Sequence, residues 1–363
     1  MSEYINNARG TGKKITGTVS WQSPANIALI KYWGKYPVQL PMNPSLSFVL
    51  RESVVSIGIK YSISTGHGFK LTTLCFNGKS NIAFSTRIES YLRSMFPSFP
   101  FLEHAIISID SHSTFPHSAG IASSAAAFSA LALCLCSIEA NLQEKPFYDE
   151  EFFRKASNIA RLGSGSACRS LHDGMVLWGH TDKIPDSSDT HACKLDDTRV
   201  HPIFRTLRDA ILIVDDSTKA VSSTQGHALM NGHPFREERK VQASQNLGKL
   251  LIALAGGNAK LFAEVVENEA LTLHSLMMSS NPGYVLMKPN TIIILDAIRK
   301  YREEQGIDLC FTLDAGPNIH LLYFEKDKER VKQFIQDKLA PLCQNGRWID
   351  DAMGEGPQML KTE

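Results

Sequence analysis

Phe115 Pro116 His117 Ser118 Ala119 Gly120 Ile121 Ala122 Ser123 Ser124 runs without a break into the Ala- and Leu-rich segment 125–136. Small residues opening a helix leave several backbone N–H groups unpaired at the positive end of its dipole. A helix start of this kind can cradle a phosphate. The hydroxyls of Ser123 and Ser124 can add contacts to a phosphate oxygen or to a hydrated magnesium ion. The Gly-Lys-Ser/Thr ending of a Walker-type loop is missing. A close-packed helix with a serine cap gives the same letters, so the stretch alone leaves both readings open.

Outward from this helix the chain mixes both kinds of element. Strand-like runs at 54–59 and 105–109 precede it, and a polar segment at 181–198, with five aspartates, a proline and two serines, interrupts the pattern. Beyond it the spacing predicts a strand over 210–214, helices over 241–255, 258–276 and 291–304, and a hairpin-like pair, 309–313 and 319–324, joined by Asp314 Ala315 Gly316 Pro317 Asn318. At 363 residues two packed domains are the natural expectation, placed at 1–204 and 205–363 in a mixed α/β (α+β) fold.

The composition narrows the function classes. A formal charge of +1 supplies no basic field for nucleic acid or an acidic membrane, so any polyanion must be held locally. The first twenty residues lack the apolar core of a signal peptide, which predicts a cytoplasmic protein. Seven scattered cysteines with no paired CxxC unit read as free thiols. Cys134 and Cys136 fall on the apolar helix and are poorly spaced for zinc.

Three further segments carry chemistry-bearing residues. Pro24 Ala25 Asn26 Ile27 Ala28 Leu29 Ile30 Lys31 Tyr32 Trp33 Gly34 Lys35 sets two lysines around an aromatic pair. A bend at Gly34 would let both ammonium groups and the phenol meet one anion; a solvated basic turn is the other reading. In Arg161 Leu162 Gly163 Ser164 Gly165 Ser166 Ala167 Cys168 Arg169 Ser170 a helix stops at Gly163 and another starts near Ser166. Ser166 and Arg169 then share a face, able to bind an anion or simply to close a turn with an ion pair. Asp314, in the turn between two apolar strands, is either an Asx-turn residue or a general base held by a rigid turn.

Together, and in this order, these segments resemble the motifs of the diphosphomevalonate decarboxylases of the GHMP kinase superfamily, along with Pro41 Met42 Asn43 Pro44 Ser45 Leu46 Ser47 and Val221 Ser222 Ser223. The most specific pair is Lys31 Tyr32 Trp33 Gly34 Lys35 with Ser164 Gly165 Ser166 Ala167 Cys168 Arg169. The resemblance implies the two-domain GHMP kinase fold with the active site in the cleft between domains, a homodimer, and use of ATP and Mg2+. It implies conversion of mevalonate 5-diphosphate to isopentenyl diphosphate, ADP, phosphate and carbon dioxide in the mevalonate pathway of isoprenoid biosynthesis.

By the same resemblance Asp314, Lys31 and Arg169 are the catalytic set, with Arg169 on the substrate carboxylate. Tyr32, Lys35, Ser164, Gly165, Ser166 and Ser223 bind the 5-diphosphate. Asn26, Ser111, Gly120, Ala122, Ser123 and Ser124 bind ATP, and Ser123 is a magnesium contact. Ser113 Thr114 replaces an asparagine pair of the family, and Thr224 stands where some bacterial relatives have an arginine, with Lys219 as a substitute contact. The alternatives are a GHMP kinase or decarboxylase acting on mevalonate or its monophosphate, and a catalytically inactive binding homologue.

Overall fold

The computed structural model describes residues 14–80, 82–115, 123–144, 149–217 and 221–362. Two sheets organise the chain. The first contains β1 (Ile15–Ala28), β4 (Ser45–Ile63), β5 (Lys70–Phe76), β6 (Lys79–Ser80), β7 (Ala105–Ser113), β8 (Met175–Trp178), β9 (Ala192–Lys194) and β14 (Gln358–Thr362). Its main path runs β14-β1-β4-β7-β5-β6, with β8 on β4 and β9 on β8. The pairs are antiparallel except β5 on β7. The second sheet is β11-β12-β10-β13, antiparallel throughout, from β10 (Leu207–Leu212), β11 (Leu309–Thr312), β12 (Ile319–Phe324) and β13 (Trp348–Ala352). A short hairpin joins β2 (Lys35–Tyr36) to β3 (Leu40–Pro41).

The helices are α1 (Ile82–Ser94), α2 (Ser123–Leu142), α3 (Glu150–Gly163), α4 (Ser223–Leu229), α5 (Arg236–Gly256), α6 (Ala259–Met278), α7 (Pro289–Gln305) and α8 (Lys328–Phe334). Helix α2 is apolar and long enough to cross a membrane by length and composition, but nearly all of it is buried against β1 and β4. Its small residues let it lie close to the sheet. Ser129 accepts from Ser23 at 2.6 Å, Ser137 accepts from the Trp21 indole N–H at 2.8 Å, and Cys134 gives its thiol hydrogen to the Ile57 carbonyl. Both helix cysteines are thus packing residues, and burial holds their thiols well above the ordinary range.

Alternation along β7 turns Ala105, Ile107, Ile109, Ser111 and Ser113 inward, and every second residue outward or to partial cover. Strand β4 is much longer than the run 54–59, because a bulge hides its continuity. Pro24 pairs with Val54 but Asn26 pairs with Val49, so residues 50–53 loop out. The backbone N–H groups exposed by the bulge go to one carboxylate. Asp351 of β13 accepts from Arg51 and Glu52 on Oδ1 and from Ser53 on Oδ2, each at 2.9 Å. This links the second sheet to the first. The chain also crosses back after β13, since β14 pairs with β1, so the last strand of the 205–363 half belongs to the sheet of the 1–204 half.

Candidate active site

Strand β1 ends at Ala28, and the next residues turn into a cleft of about 310 Å³ between the two sheets. Lys31, Tyr32, Lys35, Ser123, Ser124, Ser164, Gly165, Ser166, Arg169, Ser223 and Asp314 all line it. Four cations, Lys31, Lys35, Arg87 and Arg169, face the single carboxylate of Asp314 among its described lining residues. An excess of fixed positive charge in a concave, partly desolvated site selects anions.

Lys31 is buried, and its Nζ lies 2.9 Å from Asp314 Oδ1. Burial pulls the ammonium below the usual lysine range, while the charge and hydrogen bond of Asp314, and the charge of Glu269, pull it back up. The lysine is therefore no part of a solvated basic turn. Asp314 is held from several sides. Its carbonyl accepts from Gly316 N–H at 2.7 Å and lies 3.1 Å from His274 Nε2, and Thr291 of α7 donates to the Pro317 carbonyl.

Helix α3 stops at Gly163, where an added Cβ would run into the Phe128 ring, and a 3-10 helix follows at Gly165–Leu171. Arg169 is buried there. Its Nε donates to Asn26 Oδ1 at 3.2 Å and its Nη1 to Ser45 Oγ at 3.0 Å. Asn26 in turn donates to Ser166 O and Ser170 Oγ. Both ends of the Asn26 amide are engaged in the interior, with Arg169 on one side and Ser166 and Ser170 on the other, and Asn26 is not among the described residues that line the cleft. Ser111 also points inward and is 1% exposed, on the core side of β7 away from the cleft lining. Gly120, Ala122 and Lys219 lie outside the described residues.

Tyr32 packs against Trp178 and His227, with ring centroids 4.7 and 4.3 Å apart. A Cβ on Gly165 would stand 2.7 Å from its phenol oxygen, so only glycine permits this approach. The phenol oxygen is buried with no hydrogen-bond partner among the described residues. Burial raises its pKa well above the ordinary tyrosine value, so it stays an O–H donor. Lys35 is half-buried and donates to Gln39 Oε1 at 2.7 Å. At the start of α2, Ser124 Oγ is 3.2 Å from Ser164 Oγ, which brings the helix N-terminus against the Ser164–Arg169 segment.

Of the described lining residues outside the motifs, two are titratable. Arg87 of α1 lies over the Phe128 ring, its guanidinium carbon 4.8 Å from the centroid, and donates to the Gly163 carbonyl. His227 of α4 accepts from Gly34 N–H on Nδ1 at 3.0 Å. Burial, with Lys35 and Arg169 nearby, pushes its pKa down to about 3. The ring is therefore neutral and carries its proton on Nε2, as a hydrogen-bond donor at the cleft. Its spacing held a signal, since Ser223 and His227 are four apart and share a helix face.

The fold and the site define a two-domain α/β enzyme of the GHMP kinase type, with a cation-rich cleft around a lysine–aspartate pair whose lysine is buried. The sequence matches the diphosphomevalonate decarboxylase-like N-terminal domain over residues 23–192 and the mevalonate 5-diphosphate decarboxylase C-terminal domain over residues 210–359. The chain belongs to the diphosphomevalonate decarboxylase family. It is 31% identical to the diphosphomevalonate decarboxylase of Saccharomyces cerevisiae, over 88% of this chain and 81% of the yeast protein. The structure of mevalonate diphosphate decarboxylase from Staphylococcus aureus superimposes with a TM-score of 0.80 at 25% identity, covering 96% of this chain and 99% of that one. The protein MDDEF shares the fold, with a TM-score of 0.79 at 24% identity over 96% of this chain and 100% of that one.

Proposed function

We propose that the cleft binds mevalonate 5-diphosphate together with ATP, phosphorylates the tertiary 3-hydroxyl, and then expels that phosphate with carbon dioxide to give isopentenyl diphosphate and ADP. The observation that carries this reading is the Lys31–Asp314 pair at 2.9 Å, buried on the lysine side, in a cleft with four cations. Hydroxide leaves a tertiary carbon poorly, so the hydroxyl must first become a phosphate ester. Asp314 accepts the hydroxyl proton and Lys31 keeps the carboxylate placed and paired. As the phosphate departs, positive charge develops at carbon 3, and the carboxylate beside it fragments to carbon dioxide and an alkene.

Arg169 suits the substrate carboxylate, because two of its nitrogens are fixed from behind by Asn26 and Ser45. Tyr32, Lys35, Ser164, Gly165, Ser166 and Ser223, with Arg87 and the Nε2–H of His227, suit the 5-diphosphate. Ser123 and Ser124 at the start of α2 suit the nucleotide phosphates. No group of three or more His, Cys, Asp or Glu side chains is arranged to hold a metal ion among the described residues. A magnesium ion would therefore be held mainly by phosphate oxygens and water, with the Ser123 hydroxyl as a protein contact, which is how magnesium usually binds beside nucleotides. Bound there, it would neutralise phosphate charge.

MDDEF has been solved in complex with MVAPP, AMPPCP and magnesium, which supports the same ligand set here. A homodimer in the cytoplasm completes the proposal on the family resemblance, and sedimentation of the pure protein tests the dimer. Incubation with ATP, magnesium and each of mevalonate, its 5-phosphate and its 5-diphosphate tests the activity. Only the 5-diphosphate should release carbon dioxide in step with ADP. Faster turnover of the monophosphate, or a product that keeps its carboxylate, overturns the assignment.

A further inference from the structure

Lys31 lies three residues beyond the end of β1, and its amide groups have no partner in either sheet. The N–H groups of Leu29 and Ile30 both go to the Leu46 carbonyl, and the next peptide passes to the helices. Glu269 Oε2 of α6 accepts from the Lys31 N–H at 2.8 Å, and Arg239 Nη2 of α5 donates to the Lys31 carbonyl at 3.0 Å. The two side chains also pair with each other, at 2.6 and 2.8 Å, and Asn246 donates to Glu269 Oε1 at 2.7 Å. Both are almost fully buried, at 1% and 0% side-chain exposure.

Burying two charges costs desolvation that an apolar pair of similar volume avoids, so stability is a poor reason for this pair to exist. What an apolar pair cannot do is grip one residue by its N–H and its C=O together while placing a negative charge beside its side chain. We propose that Glu269 and Arg239 are positioning residues for the reaction: they hold Lys31 by its backbone N–H and C=O, so that its ammonium is set against Asp314. The inference rests on the catalytic reading of Lys31 given above.

The groups facing Lys31 define the expected sign. Asp314 from the β11–β12 turn and Glu269 from α6 favour its charged form, and Arg169 from the 3-10 helix opposes it. Asp209 of β10 is a more distant anion, and Arg239 of α5 touches its carbonyl. Replacing Glu269 by glutamine keeps an oxygen for the Lys31 N–H but removes the charge, so the ammonium should lose its proton at lower pH.

The test is a pH titration of lysine labelled with 13C at Cε in the full chain, with the Lys31 signal identified by its loss in Lys31→Arg. The Lys31 midpoint should fall in Glu269→Gln, and the alkaline limb of kcat should move the same way, with kcat at pH 8 down about tenfold and KM nearly unchanged. A midpoint equal to that of the wild type in a folded variant overturns the proposal. If Glu269→Gln does not fold, Glu269→Asp, which keeps the charge but draws it back by one methylene from the Lys31 N–H, carries the measurement: the midpoint and kcat should both fall, and wild-type values of both overturn the proposal. A wild-type protein inert on mevalonate 5-diphosphate would defeat the function instead, and the titration would still decide the role of the pair.

Discussion

Lys31 and Lys35 are four residues apart in one segment, and the fold treats them as different reagents. Lys31 is 1% exposed, with its peptide bracketed by a buried ion pair and its ammonium set on Asp314. Lys35 is half-buried at the mouth, and its ammonium donates to the neutral amide of Gln39. A cation already matched to a carboxylate adds little net charge for an incoming anion, whereas one resting on a neutral amide keeps its full charge for a ligand. On the proposed function the deep end serves proton chemistry in fixed geometry, and the mouth serves capture.

The strongest way to break this contrast is at Asp314. Asn is nearly isosteric but cannot take the hydroxyl proton, so Asp314→Asn should fold, bind ATP and substrate about as well, and lose at least ~10²-fold in kcat. If the aspartate only shaped its turn, Asn would serve as well and activity would be kept. Turnover and ligand affinity measured on one folded preparation decide between the two.

Next in size is Arg169→Lys, which keeps a charge at the deep end but loses the planar fork and its bonds to Asn26 and Ser45. A charge-assisted hydrogen bond contributes about 1.5–3 kcal/mol, so kcat/KM should fall roughly tenfold to a hundredfold. Asn26→Ala should produce a smaller loss in the same direction with ATP affinity unchanged, because Asn26 acts through the guanidinium. A selective loss of ATP affinity in Asn26→Ala would instead support the nucleotide role that the family resemblance implies.

The placement of Asn26 shows where the letters stop being informative. Asn26 and Lys31 stand in one motif, and nothing in their spacing says that the asparagine points into the core while the lysine points into the cleft, because a bulge at 50–53 of the partner strand breaks the alternation that would tell them apart. Lys31, Arg169 and Asp314 were legible because each lies within four residues of a glycine that marks a bend or a helix boundary. Arg87 was not. An arginine within α1, beside Glu89 and Arg93, reads as part of a solvated face, and only packing against Phe128 brings it to the cleft. Glu269 and Arg239 look like ordinary helix charges for the same reason. Strand β14 is short and polar, and its place beside β1 depends on a contact across almost the whole chain.

His227 stands between the two regimes, stacked on Tyr32 and Trp33 with Lys35 and Arg169 nearby, and it makes a prediction about stability rather than rate. Its pKa is lowered to about 3 from the model-compound value of 6.5 by burial and by those two cations. Between these values the unfolded chain binds the proton and the folded one does not, so stability falls as pH drops through that window. At pH 5 the loss from this ring is roughly 2 kcal/mol relative to neutral pH. Urea unfolding of wild type and His227→Phe at pH 7 and pH 5 isolates it, since the unpaired Gly34 N–H in the variant costs the same at both. An equal pH dependence in both proteins would mean that the ring is not held neutral.

The smallest expected effect sharpens the comparison most directly. Lys35→Met keeps much of the apolar stem that lies along the mouth but removes the ammonium, and burial beside Arg87 already holds that ammonium below the usual lysine range. Relief from Arg87 partly compensates for the lost attraction to the 5-diphosphate, so KM should rise only about tenfold while kcat stays within about twofold, the pattern of an interaction made equally in ground and transition states. The same change at Lys31 should instead act on kcat, because its partner is Asp314. Steady-state kinetics on the two methionine variants, with substrate varied at saturating ATP, therefore read the difference between the lysines as a split between KM and kcat. A kcat loss at Lys35 as large as that at Lys31 would show that the mouth takes part in the chemistry and that the cleft is not divided in this way.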